Sequence, residues 1–238
     1  MPEEFNGLEV VSCQKYIGIR RMIGERLRNS VINAPHIYQT LEIMMDKCFA
    51  FRSDLNKQLE ADGMKVTFND ITVKAISQAV ADHPDINSAL VENVIYKFKP
   101  INVGVATDTD RGLMVPVIKD CGNKGLVQIA KETRDLVTNT RAGTAPVDDF
   151  KGATITVSNL GAYNIEQFTS VINSPEGCIV SIASIKERAV VENSQVVISK
   201  TMYITLGFDH RVVDGALGIR FANSVREYLE NPDRIILQ

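Results

Sequence analysis

The chain has 238 residues, a formal net charge of −3, and 45% hydrophobic and 23% charged residues, which are ordinary values for one large globular domain with a substantial core. Its basic residues are scattered, no apolar run approaches the roughly 18 residues of a membrane span, and its acidic first residues are unlike a signal peptide. We therefore expect a cytoplasmic protein that binds neither nucleic acid nor membranes.

The first half of the chain alternates between helical and strand patterns. Apolar residues at near-helical spacing predict a helix over 19–32. Pro35 ends this helix because proline lacks an amide donor and restricts the residue before it. The other elements predicted in this half are a strand over 36–45, a helix over 47–61, a helix capped by Asn69 or Asp70, and strands over 89–91, 94–98, 101–107 and 113–118.

The second half is rich in short strands between two helices. The predicted elements are a helix over 125–138, strands over 153–157, 177–183, 189–192, 195–199 and 202–206, and a final helix over 216–229. Helices mixed with hairpins indicate an α/β (α+β) protein with a mixed β-sheet covered by helices. We see no convincing linker and no glycine-rich phosphate loop, so one domain without a nucleotide-binding motif is predicted.

Four cysteines lie far apart, with no C-x-x-C pair and no cluster of cysteine and histidine. This spacing predicts that no metal is bound. Cys178 lies in an apolar run and is expected to be a small buried hydrophobe, whereas Cys121 precedes a glycine in a loop and could be exposed.

A histidine stands at the boundary between the last predicted strand and the last helix. His210 follows an apolar run, and Asp214 and Gly215 come four and five residues later. Histidine exchanges a proton near neutral pH, so a histidine presented at such a boundary is a catalytic candidate. The alternative is a histidine in a surface loop beside an aspartate that caps the helix.

A serine stands at the end of another predicted strand, where Ser158 and Asn159 precede a turn containing Gly161. Its hydroxyl could act as a nucleophile, donate to an oxyanion, or bond its own backbone as a turn residue. Thr156 occupies the position where the nucleophile elbow G-x-S-x-G needs glycine, which argues against a serine hydrolase of the α/β type.

Taken together, the segments DHRVVDG at 209–215 and TVSNLG at 156–161 resemble the catalytic domain of the dihydrolipoamide acyltransferases. These proteins form the core of 2-oxo acid dehydrogenase complexes and are related to chloramphenicol acetyltransferase. The resemblance spans roughly residues 15 to 238 and includes segments at 20–27, 34–36, 83–88, 102–106, 110–117 and 173–176. It implies a catalytic domain over 15–238 after an N-terminal extension, 1–14, and a two-layer sandwich like that of CoA-dependent acyltransferases.

The resemblance implies acyl transfer between the thiols of dihydrolipoamide and coenzyme A. His210 would then be the general base that takes the proton of the attacking thiol, and Ser158 would donate a hydrogen bond to the oxyanion. No covalent acyl-enzyme and no metal are implied. The loop 110–114 is expected to border a thiol substrate.

Asp214 has two interpretations under this resemblance. It could orient the imidazole as in a catalytic triad, or it could pair with an arginine and hold the loop, with Arg20 as the expected partner and Arg21 as the other candidate. We favour the structural role. Gly215 is expected to allow close packing of the following helix. Asn159, like Arg20 and Gly215, is expected to support the structure of the site.

The resemblance also implies an assembly. We expect a homotrimer with an active site between subunits, extended into a larger cubic or icosahedral core by docking of the apolar tail formed by Ile235, Ile236 and Leu237. The alternative is a tail that folds onto its own domain. The first fifteen residues hold no lipoyl domain, so the lipoyl group is expected to come from another polypeptide, and a lipoyl-bearing protein and 2-oxo acid dehydrogenase components are expected partners.

Two alternatives stay open from the sequence. The same base could deprotonate an alcohol, which would make the protein an acetyltransferase for small-molecule hydroxyls, as in the chloramphenicol enzymes. The chain could instead be a non-catalytic assembly scaffold, although the presence of both His210 and Ser158 argues against this.

Overall fold

The computed structural model describes residues 4–236, which form five α-helices and eleven β-strands. The helices are α1 (Gly18–Asn33), α2 (Asp46–Leu59), α3 (Phe68–Asp82), α4 (Leu126–Ala142) and α5 (Gly215–Glu230). The strands are β1 (Glu4–Phe5), β2 (Leu8–Glu9), β3 (His36–Met44), β4 (Ser88–Val91), β5 (Val94–Lys97), β6 (Val103–Val105), β7 (Val117–Ile118), β8 (Ile155–Asn159), β9 (Cys178–Ile182), β10 (Lys186–Glu192) and β11 (Gln195–Asp209).

The main sheet contains seven strands. Its order is β10-β11-β9-β8-β6-β7, and β3 pairs with the second half of β11. Strands β6, β8 and β9 run parallel to one another, whereas the other pairings are antiparallel. A mixed sheet with packed helices confirms the predicted α/β (α+β) class.

The two faces of this sheet differ in polarity because side chains alternate along each strand. On one face Phe208 of β11 packs edge-on against Phe221 of α5, with ring centroids 6.4 Å apart. On the opposite face, which we call the polar face, the Thr40 and Thr205 hydroxyls lie 2.9 Å apart, and the Ser181 hydroxyl donates to Ser170 at 2.8 Å. The helices therefore bury one face, and the opposite face carries hydroxyl groups, of which those of Ser181 and Thr205 are also buried.

The prediction of two strands over 195–199 and 202–206 is wrong, because β11 is continuous. Its first part pairs with β10 up to Thr201, and pairing with β3 begins at the same residue. The polar residues Lys200 and Thr201, which suggested a break, lie where β11 changes its pairing partners. The backbone N–H of Lys200 donates to Asp46 there, which replaces a ladder hydrogen bond.

Two predictions about single residues are also corrected. Thr67, not Asn69 or Asp70, caps α3, and Asp70 completes a capping box by accepting from the Thr67 backbone N–H. Cys121 is buried rather than exposed, and burial raises the pKa of its thiol to about 11. Cys178 is buried as predicted.

The C-terminal tail is not entirely available for docking. Ile235 is buried and belongs to the core of its own domain, which corrects its expected docking role and agrees with the alternative of a tail folded onto its own domain. Ile236 is exposed, and Leu237 lies outside the described residues.

Close packing at the start of α5 depends on Gly218 rather than on the predicted Gly215. A Cβ added to Gly218 would come within 2.9 Å of the Phe208 ring, whereas at Gly215 it would meet only Gln39 Nε2 at 3.9 Å. We therefore expect Gly218→Ala to lower the free energy of unfolding by about 1–3 kcal/mol through overpacking. The control Gly215→Ala should be neutral or slightly stabilising. Urea denaturation checks both, and equal effects of the two substitutions would contradict this packing.

Candidate functional site

Ser158 lies on the polar face, near the end of β8. Ile155 and Val157 of the same strand are buried, so alternation turns the half-buried Ser158 side chain to the other face. Its partner across the parallel pairing with β9 is Ser181. The strand thus presents one hydroxyl beside a second one without burying it in the core.

The turn after Ser158 is fixed by its neighbour. Asn159 Oδ1 accepts a hydrogen bond from the Gly161 backbone N–H at 2.8 Å, and its Nδ2 donates to Asn69 at 3.1 Å. A Cβ on Gly161 would come within 3.0 Å of the Ala183 carbonyl oxygen. These contacts agree with a structural role for Asn159 in the turn. Its support of catalysis stays a prediction.

His210 follows directly after β11 and is exposed. Its backbone N–H donates to the Pro35 carbonyl at 2.9 Å, which ties the strand end to the segment before β3. Within residues 4–236 no group forms a hydrogen bond with its ring. The imidazole is therefore presented at the surface and is not satisfied inside its own subunit.

The turn that carries His210 is held by its two neighbours. Arg211 binds the buried Asp209 carboxylate through two nitrogens, Nε at 3.0 Å and Nη2 at 2.7 Å. These hydrogen bonds raise the pKa of the Arg211 guanidinium. The Asp209 carbonyl also accepts the backbone N–H groups of Val212 and Val213, and Val213 is buried. This arrangement fixes the backbone from which the imidazole projects.

Ser158 and His210 do not meet within one subunit. Ser158 pairs with Ser181 of β9, and Ser181 pairs with Thr205 of β11. His210 lies five residues beyond Thr205. At about 3.3 Å per residue and about 4.8 Å per strand, their Cα atoms are roughly 19 Å apart. Proton transfer needs contact at about 3 Å. The two groups can therefore act together only if a second subunit supplies one of them.

Asp214 caps α5, and its expected pairing with Arg20 is wrong. Asp214 Oδ1 accepts the Leu217 backbone N–H at 2.7 Å, as an N-cap residue does. Arg20 is exposed on α1 and, within the described residues, forms neither an ion pair nor a hydrogen bond. Asp214 thus has a structural role in α5, by capping rather than by a salt bridge.

We expect Asp214→Ala to lower the free energy of unfolding by about 1 kcal/mol, because the Leu217 N–H loses its acceptor. Asp214→Asn keeps a side-chain oxygen at the cap and should lose only a few tenths of a kcal/mol. Thermal and urea denaturation of both variants measure this difference. Equal losses in the two variants would contradict the capping role.

The sequence reasoning missed a buried carboxylate at the edge of a cavity of about 670 Å³. Glu176 is 4% exposed, and burial raises the pKa of its carboxyl to about 7, although hydrogen bonds from Thr156 and Asn173 and the charge of Arg26 lower it in part. Its segment, 173–176, looks like an ordinary exposed turn in the sequence. Only the packing of α1 and the sheet around it makes Glu176 unusual.

This carboxyl makes stability depend on pH. The Glu176 carboxyl keeps its proton up to about pH 7 in the folded protein, whereas in the unfolded protein it loses the proton near its ordinary pKa of 4.5. The free energy of unfolding therefore falls as pH rises between these two values. The expected loss from this group is about 3 kcal/mol, and it should be absent from Glu176→Gln. Urea denaturation between pH 4.5 and 8 measures the two slopes, and identical slopes would contradict the assignment.

Two negative findings concern the described residues. Between residues 4 and 236, no three His, Cys, Asp or Glu side chains are grouped as ligands of a metal ion. No helix in that part of the chain is long and apolar enough to cross a bilayer.

Similar sequences are found among acetyltransferase components of pyruvate dehydrogenase complexes. The chain is 33% identical over 215 residues to the dihydrolipoyllysine-residue acetyltransferase component of Rickettsia prowazekii, covering 90% of this chain and 53% of that protein. It is 40% identical over 223 residues to mitochondrial component 3 of Arabidopsis thaliana, covering 92% of this chain and 41% of that protein. The chain therefore spans about half the length of these curated relatives.

Solved structures agree in fold. Dihydrolipoamide acetyltransferase of Azotobacter vinelandii superposes with a TM-score of 0.93 at 27% identity, covering 99% of this chain and 98% of that one. The cubic core of the pyruvate dehydrogenase multienzyme complex gives a TM-score of 0.92 at 27% identity, with the same coverage of both chains. Chloramphenicol acetyltransferase shares the fold, with a TM-score of 0.55 at 13% identity over 86% of this chain and 94% of that one.

The predicted two-layer acyltransferase fold is confirmed by these superpositions. The family model for the catalytic domain of 2-oxoacid dehydrogenase acyltransferases matches residues 10–237. Because this match covers nearly the whole chain, the protein belongs to the 2-oxoacid dehydrogenase acyltransferase family.

Proposed function

We propose that this chain transfers an acyl group between dihydrolipoamide and coenzyme A. The observation that carries this proposal is that Ser158 and His210 each stand at the end of an apolar strand, with Ser158 half-buried and His210 exposed. In the Azotobacter enzyme, a serine, a histidine and an asparagine were investigated for roles in catalysis, and their separations along the chain equal those between Ser158, His210 and Asp214. Aspartate stands here where that enzyme has asparagine.

The chemistry follows from the residue types. The attacking thiol, with an ordinary pKa of about 8.5, is mostly protonated at pH 7, so a base must remove its proton. His210 takes this proton as sulfur attacks the thioester carbonyl. The Ser158 hydroxyl donates a hydrogen bond to the oxyanion that forms. The tetrahedral intermediate then expels the other sulfur, which takes the proton back from His210, and no acyl-enzyme is formed.

The site is assembled between subunits in this proposal. A separation of roughly 19 Å within one chain requires His210 of one subunit to meet Ser158 of its neighbour. The apolar side chains exposed along α1 support an oligomer, since Met22 is 70% and Ile32 65% exposed in one subunit. Subunits that repeat the same contact until the last one meets the first form a closed ring. We propose that this ring is a homotrimer.

Light scattering and mass photometry test this assembly. A trimer, or a particle built from trimers such as a cubic or icosahedral core, supports the proposal. A monomer that retains full specific activity at every dilution would contradict it, because each subunit alone lacks one of the two groups.

The partners belong to the same proposal. A lipoyl group on another polypeptide delivers the acyl group, and coenzyme A takes it as the second substrate, within a complex that includes 2-oxo acid dehydrogenase components. The buried thiols of Cys48, Cys121 and Cys178 suit a reducing compartment, in agreement with a cytoplasmic location.

An acceptor assay separates this function from the alternatives. Purified protein is given acetyl-CoA with either dihydrolipoamide or a panel of small alcohols that includes chloramphenicol. Turnover with the dithiol and none with the alcohols supports the proposal. Acetylation of an alcohol alone would show a hydroxyl acetyltransferase, and no turnover with either class would favour an assembly scaffold.

A further inference from the structure

His36 lies between the segment that carries His210 and the loop that follows β8. It is the first residue of β3, and it pairs with Asp209, the last residue of β11. The residue before it, Pro35, accepts the His210 backbone N–H through its carbonyl at 2.9 Å. His36 therefore belongs to the short segment that holds the backbone of the proposed base.

Both ring nitrogens of His36 are bonded to backbone groups. Nδ1 lies 2.7 Å from the Ala34 carbonyl oxygen, and Nε2 lies 3.1 Å from the Ile172 backbone nitrogen. A carbonyl can only accept and an N–H can only donate, so Nδ1 carries the proton and Nε2 accepts from Ile172. The ring thus has one fixed tautomer, and neither nitrogen is left to act on a substrate.

Ile172 is a fixed point in the loop between β8 and β9. Its side chain is buried, at 0% exposed, and its carbonyl accepts the Ser30 hydroxyl of α1 at 2.7 Å. Two residues earlier, the Ser170 hydroxyl accepts from Ser181 of β9 at 2.8 Å, which ties the same part of the loop to the sheet. The bond from Ile172 to His36 therefore joins β3 to a part of the loop that is held from several sides.

We propose that His36 is a positioning residue for His210. By accepting the Ile172 N–H, its ring holds the Pro35 carbonyl in place, and that carbonyl fixes the backbone from which the imidazole projects. This inference rests on the proposed function, in which the base must meet a thiol and a hydroxyl across a subunit boundary. Small errors are costly in such a site, since a displacement of about 1 Å can lower a rate about 10²-fold.

Two substitutions separate the bond to Ile172 from the bond to Ala34. An asparagine amide ends near the place of Nδ1, so His36→Asn can still donate to Ala34 but leaves the Ile172 N–H without its acceptor. A glutamine amide reaches the place of Nε2, so His36→Gln keeps that acceptor and loses the other bond.

We expect kcat to fall about tenfold in His36→Asn and to stay within about threefold of wild type in His36→Gln. The KM values should stay within about twofold in both variants, because the ring contacts neither substrate. Each variant loses one hydrogen bond, so thermal denaturation should find similar stabilities. A merely structural role for the ring predicts equal kcat values in the two variants, and that result would contradict the inference.

Mixed assemblies show which group His36 positions. When His210→Ala and Ser158→Ala subunits assemble together, every working site takes its imidazole from a Ser158→Ala subunit and its hydroxyl from a His210→Ala subunit. His36→Asn added to the Ser158→Ala subunit should lower the activity of the mixture about tenfold, whereas the same substitution in the other subunit should change it less than about twofold. Both mixtures carry the same substitutions, so their folding is matched. Equal effects in the two mixtures, or a loss confined to the subunit that supplies the hydroxyl, would overturn the inference.

A second variant covers the case in which His36→Asn does not assemble. His36→Leu fills the space of the ring at this half-buried position but accepts no hydrogen bond, so the same tenfold difference between the two mixtures is expected. Equal activity of the two leucine mixtures would contradict the positioning role. Failure of the proposed function is seen separately, as wild-type protein that transfers no acyl group to either thiol before His36 is changed.

Discussion

Replacement of His210 with alanine is expected to lower kcat for acyl transfer about 10³-fold, because general-base catalysis contributes about 10²–10⁴. Without the imidazole, the thiol must lose its proton to water. The KM values should change little, since the ring acts on the transferred proton. Steady-state assays with acetyl-CoA and dihydrolipoamide measure the loss.

Two controls accompany this variant. His83→Gln removes a ring that bonds Ser224 at 2.9 Å and packs against Phe221, and its kcat should stay within about twofold of wild type. Added imidazole should restore part of the activity of His210→Ala by entering the space that the side chain leaves. Undiminished transfer by His210→Ala would show that another group is the base.

Replacement of Ser158 with alanine is expected to lower kcat about 10²–10³-fold, the usual cost of one lost oxyanion donor. The hydroxyl stabilises charge that develops only in the transition state, so substrate KM values should stay within about twofold. Steady-state kinetics on the intact assembly give both constants.

Ser181→Ala is the matched control for Ser158→Ala. Ser181 lies opposite Ser158 on the same face, but its hydroxyl already donates to Ser170. Its loss should cost about 1 kcal/mol of stability and leave kcat within about threefold. Mass spectrometry of wild type with acetyl-CoA should find no acetyl group on Ser158, and a stable acetyl-serine at this position would contradict direct transfer.

The sequence predicted most elements of this fold but few of its long-range relations. Periodicity predicted α1 and α5 within a residue or two, because each has one apolar stripe. It divided β11 at the polar residues near Thr201, because local polarity cannot show that a strand changes partners there. The cap of α3 was misplaced by two or three residues because Thr67 and Asp70 form a reciprocal pair.

The main residues of the candidate site could be predicted from the sequence, but their arrangement in space could not. The residues His210 and Ser158 stood out because each follows an apolar strand and because their segments resemble one family. Their separation depends on the register of β8, β9 and β11, which no local pattern contains. Glu176 went unnoticed because its burial is created by α1, more than 140 residues earlier in the chain, as the bond from Arg26 to the Ser174 carbonyl shows.

Subunit mixing tests the shared site most directly. His210→Ala and Ser158→Ala subunits, each nearly inactive alone, are co-expressed in equal amounts and purified as mixed assemblies. If one subunit supplies the imidazole and its neighbour the hydroxyl, random mixing restores both groups at about a quarter of the sites, and about a quarter of wild-type activity should return. Mixed assemblies that remain as inactive as either parent would contradict a site built from two subunits.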